Sequence, residues 1–248
     1  FNNTIDSNNI TTNGTIGADG YGFNRNNSLN DVVSGGNVIS QGKGEGISFT
    51  IAAHNLTFYN LSITTIKSEG KGSLFGAGAG GTNASFFDSF INASHPSSFD
   101  VDIRSSPGTL NFTNVTLANN NINFNAGASA LFNRHWYVDS YVNWSNGSVA
   151  SNVNVTAYNR TGGVAFSVLT GSDGRIARQT VLSVVKNASN TFDYNNFTFN
   201  VTYDGSENLS QSWNLTTNRD LSFTLNNIVI SLTDIALAIF DNRTYAVA

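Results

Sequence analysis

Three segments of the chain share one pattern of hydrophobic and polar positions: NLTFYNLSI (55–63), NASFFDSFI (83–91) and TLNFTNVTL (109–117). Each has Phe at its fourth place, Asn or Asp at its sixth, and Ile or Leu at its ninth. The pattern recurs every ~26 to 28 residues, a period typical of solenoid coils. Further strand-like runs lie at 47–53, 73–79, 99–105 and 121–132. The repeat therefore predicts stacked coils of short strands.

The polar sixth place is predicted to form a corner of each coil. Phe112 and Asn114 share one face of a strand, but the closing aliphatic residue has the opposite parity, so the chain must bend between them. Asn and Asp satisfy backbone groups at such bends through side-chain hydrogen bonds. We therefore expect Asn60, Asp88 and Asn114 to stack as corner residues, and Asn111 to point outwards.

The second half of the chain shows the alternation of half-buried strands. VNVTAY (153–158) directs Val153, Val155 and Ala157 to one face. FTFNVTY (197–203) does the same with its aromatic residues and Val201, which leaves Asn196 and Asn200 on the opposite, exposed face. Gly-containing turn signals separate these runs, so the spacing predicts a β-sandwich.

The last segment, 228–248, is apolar on both faces, which favours burial on both sides. It is interpreted either as the last strand of its own sandwich or as a strand donated to a neighbouring subunit. The residues of this predicted assembly strand are Ile228, Ile230, Leu232, Ile235, Leu237 and Ile239. The Thr-rich N-terminus is a weaker candidate for the same role.

Composition places the chain in the all-β class. It has 248 residues, 40% hydrophobic and 11% charged, against an average charged fraction of ~25%. Residues that favour strands are plentiful, and Glu, Lys and Gln are scarce.

A net charge of −4 predicts no nucleic-acid partner, and no apolar run approaches the ~20 residues of a membrane-spanning helix. The absence of Met predicts that an initiator and signal segment are removed.

About twenty Asn-x-Ser/Thr sequons occur, more than twice the number expected by chance from the composition. They predict heavy N-glycosylation and hence an extracellular protein at the cell surface. The absence of Cys fits an archaeal surface protein better than a eukaryotic secreted one. The predicted glycan acceptors are Asn2, Asn13, Asn55, Asn83, Asn92, Asn111, Asn143, Asn146, Asn154, Asn159, Asn187, Asn196, Asn200, Asn208, Asn214 and Asn242.

The coil pattern at about 15 to 135 resembles right-handed parallel β-helix domains of the pectate-lyase and NosD-like type, which are frequent in archaeal surface proteins. A second resemblance, to a carboxypeptidase-regulatory-like, Ig-like module, covers about 138 to 227. It is carried by Val142, Gly147, Val149, Val153, Val155, Ala157, Tyr158, Gly162, Val164, Thr170, Asp173 and Gly174. The resemblances imply a β-helix over 1–137, an Ig-like sandwich over 138–227 without catalytic residues, and the terminal strand at 228–248.

Few residues suggest chemistry. Asp100, Asp102 and Arg104 lie at every second position of a strand, which makes them the best acid–base or Ca²⁺ cluster; we interpret them as a solvated face with a local salt bridge. The Asp- and Asn-rich segment 17–31 is a second possible Ca²⁺ site. The three His residues have no metal-ligand spacing, and no Cys exists to act as a nucleophile. We therefore predict neither an enzyme nor an obligatory cofactor.

These observations predict the repeating structural subunit of a glycosylated sheath, filament or S-layer, whose partners are copies of itself. The alternative is a monomeric adhesin or carbohydrate-binding module, with Trp136, Trp144 and Trp213 as an exposed sugar platform. A polysaccharide-degrading enzyme is a third, weaker interpretation.

Overall fold

The computed structural model describes residues 4–6, 10–12, 23–26, 30–41, 47–51, 55–66, 73–75, 83–104, 108–204 and 207–226. All regular structure within these ranges is β-strand, which confirms the all-β class. The strands are β1 (Thr4–Asp6), β2 (Ile10–Thr12), β3 (Phe23–Asn26), β4 (Val32–Ser40), β5 (Ile47–Ile51), β6 (Leu56–Thr65), β7 (Ser73–Phe75), β8 (Ala84–Phe87), β9 (Phe90–Ala93), β10 (Val101–Ile103), β11 (Thr109–Thr113), β12 (Thr116–Leu117), β13 (Ile122–Phe124), β14 (Leu131–Trp144), β15 (Asn154–Tyr158), β16 (Val164–Leu169), β17 (Gln179–Lys186), β18 (Thr191–Asp193), β19 (Phe197–Tyr203), β20 (Glu207–Trp213) and β21 (Arg219–Leu225).

The N-terminal half consists of parallel strands in two sheets. One sheet runs in the order β4-β6-β8-β11-β14, with β9 and β12 continuing the coils beyond β8 and β11. The second sheet runs β13-β10-β7-β5-β3, and all its pairs are parallel. The first hydrophobic core contains residues of both sheets. Each predicted repeat thus contributes to the first sheet. The strand-like run that precedes each repeat in the sequence contributes one strand to the second sheet.

A column of stacked phenylalanine rings fills this first core. Phe58 pairs in register with Phe86, and Phe86 with Phe112. Successive ring centroids lie 4.5 Å apart for Phe58 and Phe86, 5.0 Å for Phe86 and Phe112, and 4.8 Å for Phe112 and Phe132. All four side chains are fully buried. The alignment predicted from the repeat is therefore confirmed.

The predicted corner residues adopt left-handed backbone conformations. The φ angles are 53° at Asn60, 51° at Asp88 and 52° at Asn114. Asn and Asp tolerate this region better than other non-glycine residues. The Asn114 Nδ2 donates a hydrogen bond of 2.6 Å to the Asp88 Oδ1 of the preceding coil. Phe58 and Ile63, of opposite parity, are both buried, so the chain does bend between them as predicted.

The C-terminal half is mainly antiparallel. Its four-stranded sheet runs β16-β15-β19-β20, with antiparallel pairs throughout. A second hydrophobic core contains residues of this sheet and of β14, β17 and β21 in the large sheet. Val153, Val155, Ala157, Phe197 and Phe199 are fully buried in it, which confirms their predicted inward face.

Strand β14 joins the two halves without a break. Its first residues pair with β11 in parallel, and Val138 to Trp144 pair with β21, also in parallel. Phe132 belongs to the first core and Trp136 to the second. The boundary predicted at 137/138 therefore lies inside one strand, and the large sheet is shared by both cores.

Several predicted features lie outside the described residues. They include the assembly strand from Ile228 to Ile239, Asn2, Asn13, Asn242, the side chain of Asn208, and most of segment 17–31. The N-terminal strands β1 and β2 pair in parallel with β4 of the same chain. The weaker prediction that this terminus is donated to a neighbour is therefore wrong for these residues.

Truncation of a central ring should destabilise the protein strongly. Phe86→Ala removes a buried ring that stacks on two neighbours, and such a cavity costs about 3–5 kcal/mol. Chemical denaturation measures the free energy of unfolding. Phe192→Ala, at a half-exposed position of β18, is the control and should change it by less than about 0.5 kcal/mol. Equal losses of unfolding free energy in the two variants would contradict a stabilising role of the ring column.

Candidate functional site

The side chain of Asp100 is buried within the N-terminal half, with 0% of its surface exposed. Its Oδ1 accepts hydrogen bonds from the Ala93 backbone N (2.9 Å) and from the Asn119 Nδ2 (3.2 Å). Its Oδ2 accepts one from the Asn119 backbone N (2.8 Å). A buried carboxylate is costly unless hydrogen-bonded, and these donors meet that requirement by linking consecutive coils.

Asp102 is also buried, with 1% of its surface exposed. Its Oδ1 accepts from the Nδ2 atoms of Asn123 and Asn125 at 2.7 and 2.8 Å. Its Oδ2 lies 3.4 Å from the Arg104 Nε, which confirms the predicted salt bridge. The predicted solvated face is wrong, because asparagines at every second position from 119 to 125 cover both carboxylates.

The histidines lie apart from this network. In His95, the Nδ1 accepts from the Ser97 backbone N at 3.2 Å in a turn. His135 is half-buried on β14, its Nδ1 has no hydrogen-bond partner in the described part of the chain, and burial lowers its pKa below 6.5. His54 lies outside the described residues. Within the described ranges, no three His, Cys, Asp or Glu residues group together as a metal site would require.

The three tryptophans do not form the exposed platform predicted for an adhesin. Trp136 is only 6% exposed, so that prediction is wrong for it. Trp144 packs edge-on against Tyr203, with ring centroids 5.0 Å apart. Trp213 pairs with Phe197, at the other end of β19 from Tyr203. Six residues of strand span about 20 Å, so Trp144 and Trp213 cannot contact one planar sugar.

The predicted glycan acceptors keep contact with solvent wherever their side chains are described. The exposed ones are Asn55, Asn83, Asn146, Asn196 and Asn214. The half-buried ones are Asn92, Asn111, Asn143, Asn154, Asn159, Asn187 and Asn200. Asn111 lies on the outward face of β11, as predicted, and its Oδ1 accepts from the Asn133 Nδ2 at 3.0 Å. Asn200 is less open than predicted, since its Oδ1 is buried.

Three sequons occupy turns in which only the asparagine oxygen is engaged. The Asn146 Oδ1 accepts from the backbone N and hydroxyl of Ser148, and the Asn159 Oδ1 accepts from the same groups of Thr161. The Asn187 Oδ1 accepts from the backbone N of Ser189 and of the following residue. N-glycans attach to Nδ2, and these turns leave that atom without a hydrogen bond within the described residues.

A cleft between the two cores was not predicted from the sequence. Arg134 and Trp136, on the same face of β14, both line it. The Arg134 Nε and Trp136 Nε1 are buried and have no hydrogen-bond partner among the residues that the structure describes. Burial lowers the pKa of Arg134, and the charge of Asp100 opposes that shift. In the pairing of β11 with β14, Arg134 stands opposite Phe112, although the ring column continues at Phe132. The sequence alone does not show this register, so it gave no signal for the cleft.

The described residues contain no helix of the length and hydrophobicity that crossing a membrane requires.

No protein-family model matches the chain, and no curated protein matches it. Functional conclusions therefore rest on the residues themselves.

Glycan occupancy should follow the engagement of each Nδ2. In protein isolated from cells that glycosylate it, glycopeptide mass spectrometry should find high occupancy at Asn146, Asn159 and Asn187. Asn114 should be the least occupied, because its Nδ2 is bonded to Asp88 in a corner. Asn111, three residues away, is the internal comparison. Occupancy at Asn114 equal to that of the three turns would contradict this ranking.

The unpartnered His135 should make stability depend on pH. The unfolded chain takes up the proton near pH 6.5, whereas the folded protein takes it up only at lower pH. Folding stability is therefore lost as pH falls from 6.5 towards the folded pKa. His135→Gln should lose less thermal stability than the wild type between pH 7.5 and 5.0. His95→Gln, in the turn described above, should keep the wild-type difference; an unchanged difference in His135→Gln would refute the assignment.

Proposed function

We propose that the chain is the repeating structural subunit of an extracellular, N-glycosylated surface assembly such as a sheath, filament or S-layer. Its N-terminal half is proposed to be a right-handed parallel β-helix, and its C-terminal half an Ig-like sandwich. The in-register parallel coils and the two-layer second core support these assignments. The sequons and the absence of Cys support an archaeal cell surface as the location.

The observation that carries the proposal is an uncharged, largely apolar sheet edge. Strand β16 ends the four-stranded sheet and, among the described strands, pairs only with β15. Its sequence, VAFSVL, has no charged residue, and Val164 and Leu169 are 61% and 59% exposed. Monomeric proteins commonly protect such edges with charges, Pro or bulges, because an open edge pairs with other chains. Strand β16 has neither a charge nor Pro, and its one irregularity is a register shift against β15 next to Val164.

A second edge has the same character. Strand β18 ends the large sheet, and all three of its residues are exposed. Phe192, in its centre, is 50% exposed. Two such edges on one subunit allow head-to-tail contacts, which extend into an open assembly instead of closing. The apolar segment 228–248 is proposed as a further contact, donated to a neighbour.

The alternative function is a monomeric adhesin or carbohydrate-binding module. The cleft with the unpartnered donors of Arg134 and Trp136 favours it. The two functions differ in whether the purified chain polymerises.

Charge on the β16 edge should inhibit assembly. Electron microscopy of native material, and of the purified chain above its critical concentration, should show a regular tube, filament or lattice. Val164→Lys with Leu169→Lys adds two charges to the β16 edge, which disfavour pairing with a neighbouring strand, and should raise the critical concentration about tenfold or more. Ser172→Lys adds a charge in an exposed turn and is the matched control.

Deletion of 228–248 tests the donated strand in the same assay. Assembly lost in the deletion but kept in the lysine variant would move the contact from β16 to the terminal segment. Dispersed particles of single-chain mass from native material and from the wild-type chain at every concentration would refute the structural function and favour the binding module.

A further inference from the structure

The cleft between the two cores has the size of a small-molecule site. Its volume is about 470 Å³, within the range of about 300–1,000 Å³ that ligand pockets occupy. Leu117 and Leu215 contribute apolar surface to it, next to the indole of Trp136. Asn195 and Thr216 contribute an amide and a hydroxyl. A ligand here meets both apolar and hydrogen-bonding surface.

Two buried donors in this cleft lack acceptors. Trp136 is only 6% exposed, and its Nε1–H has no partner among the described residues. The Nε–H of Arg134 is also buried and also has no partner among the described residues. Buried donors in folded proteins are almost always paired, so two together indicate an acceptor that the described residues do not supply. An indole N–H and a guanidinium N–H can only donate, so the ligand must accept from both.

The charges around the cleft favour an anionic acceptor. The cleft lining contains Arg134 and no carboxylate. Asp100 is close enough to affect the pKa of Arg134, but its oxygens already accept hydrogen bonds from Ala93 and Asn119. Lys186 is a second basic group nearby, on β17 opposite Phe132, and its pKa is lowered by burial and then by the charge of Arg134. Guanidinium groups bind carboxylates through directed, charge-assisted hydrogen bonds.

The mixed lining distinguishes a sugar acid from a simple anion. A pyranose ring carries apolar C–H faces that suit an indole and hydroxyls that suit amide and hydroxyl groups. We propose that the cleft binds a carboxylated sugar, a uronic acid, whose carboxylate accepts hydrogen bonds from Arg134 and Trp136. The sugar belongs either to a free polysaccharide or to glycans carried by the protein itself. This inference does not depend on assembly, since dispersed chains suffice to test it.

Glucuronate is the probe, with glucose and acetate as matched controls for its ring and its carboxylate. Calorimetric titration of the unglycosylated chain should detect glucuronate and give much weaker or no binding of either control. In ¹H–¹⁵N spectra, the Trp136 indole signal, assigned with Trp136→Phe, should shift on addition of glucuronate and not of glucose. The indole signals of Trp144 and Trp213 should not shift.

Substitution of the guanidinium tests the carboxylate contact. Arg134→Gln should weaken glucuronate binding at least about tenfold, because a charge-assisted hydrogen bond is lost. Arg178→Gln is the control, since that exposed guanidinium pairs with Asp139 on the outer face. If Arg134→Gln lowers the thermal midpoint strongly, Arg134→Lys replaces it; it keeps the charge, loses the Nε donor and should also weaken binding.

The proposal is overturned if acetate or glucose binds as tightly as glucuronate, or if folded Arg134 variants keep wild-type affinity. An indole signal of Trp136 that ignores glucuronate would overturn it as well. Where glucuronate does bind, competition by glycans released from native protein supports the protein's own sugars as the source. Competition only by soluble polyuronates supports a free polysaccharide.

Discussion

Each repeat of parallel strands must turn at the same place as its neighbour in the sheet, and left-handed residues at the corners impose this constraint. At Asn60, Asp88 and Asn114 the chain reverses the parity of its side chains, so residues on both sides of the corner reach one core. A corner displaced by one residue would send the following aliphatic side chains to solvent. The ring column through Phe86 depends on this register, because parallel coils stack like residues directly above one another.

The same stacking explains how the fold can bury two carboxylates. Asp100 and Asp102 would be unstable in an apolar core, but the next coil passes over them with side-chain amides at every second position. Asn119, Asn123 and Asn125 each donate across the coil boundary. These hydrogen bonds and the stacked rings thus hold neighbouring repeats in one register.

The sequence predicts those features that local parity or repetition determines. Phe58, Phe86 and Phe112 recur at the coil period, so their stacking and the bend at the corners could be predicted. The burial of Asp102 could not, since period-two alternation does not show that a later segment covers that face. The burial of Trp136 was not predicted for a related reason. The residues around it lie near 117, 184 and 215, which are distant from it in sequence.

Strand β14 limits where copies of the chain can meet. It ends the parallel stack, and β17 and β21 occupy its two sides in the C-terminal half. Another coil therefore cannot add to the stack at this end of the large sheet. In the proposed assembly, contacts between copies would use edges that no strand covers within the described chain. Strands β16 and β18 are two such edges, both on the C-terminal side of this junction. The cleft lies beside the junction, where Arg134 separates the two cores, so a bound sugar acid and an edge contact would occupy different surfaces of one subunit.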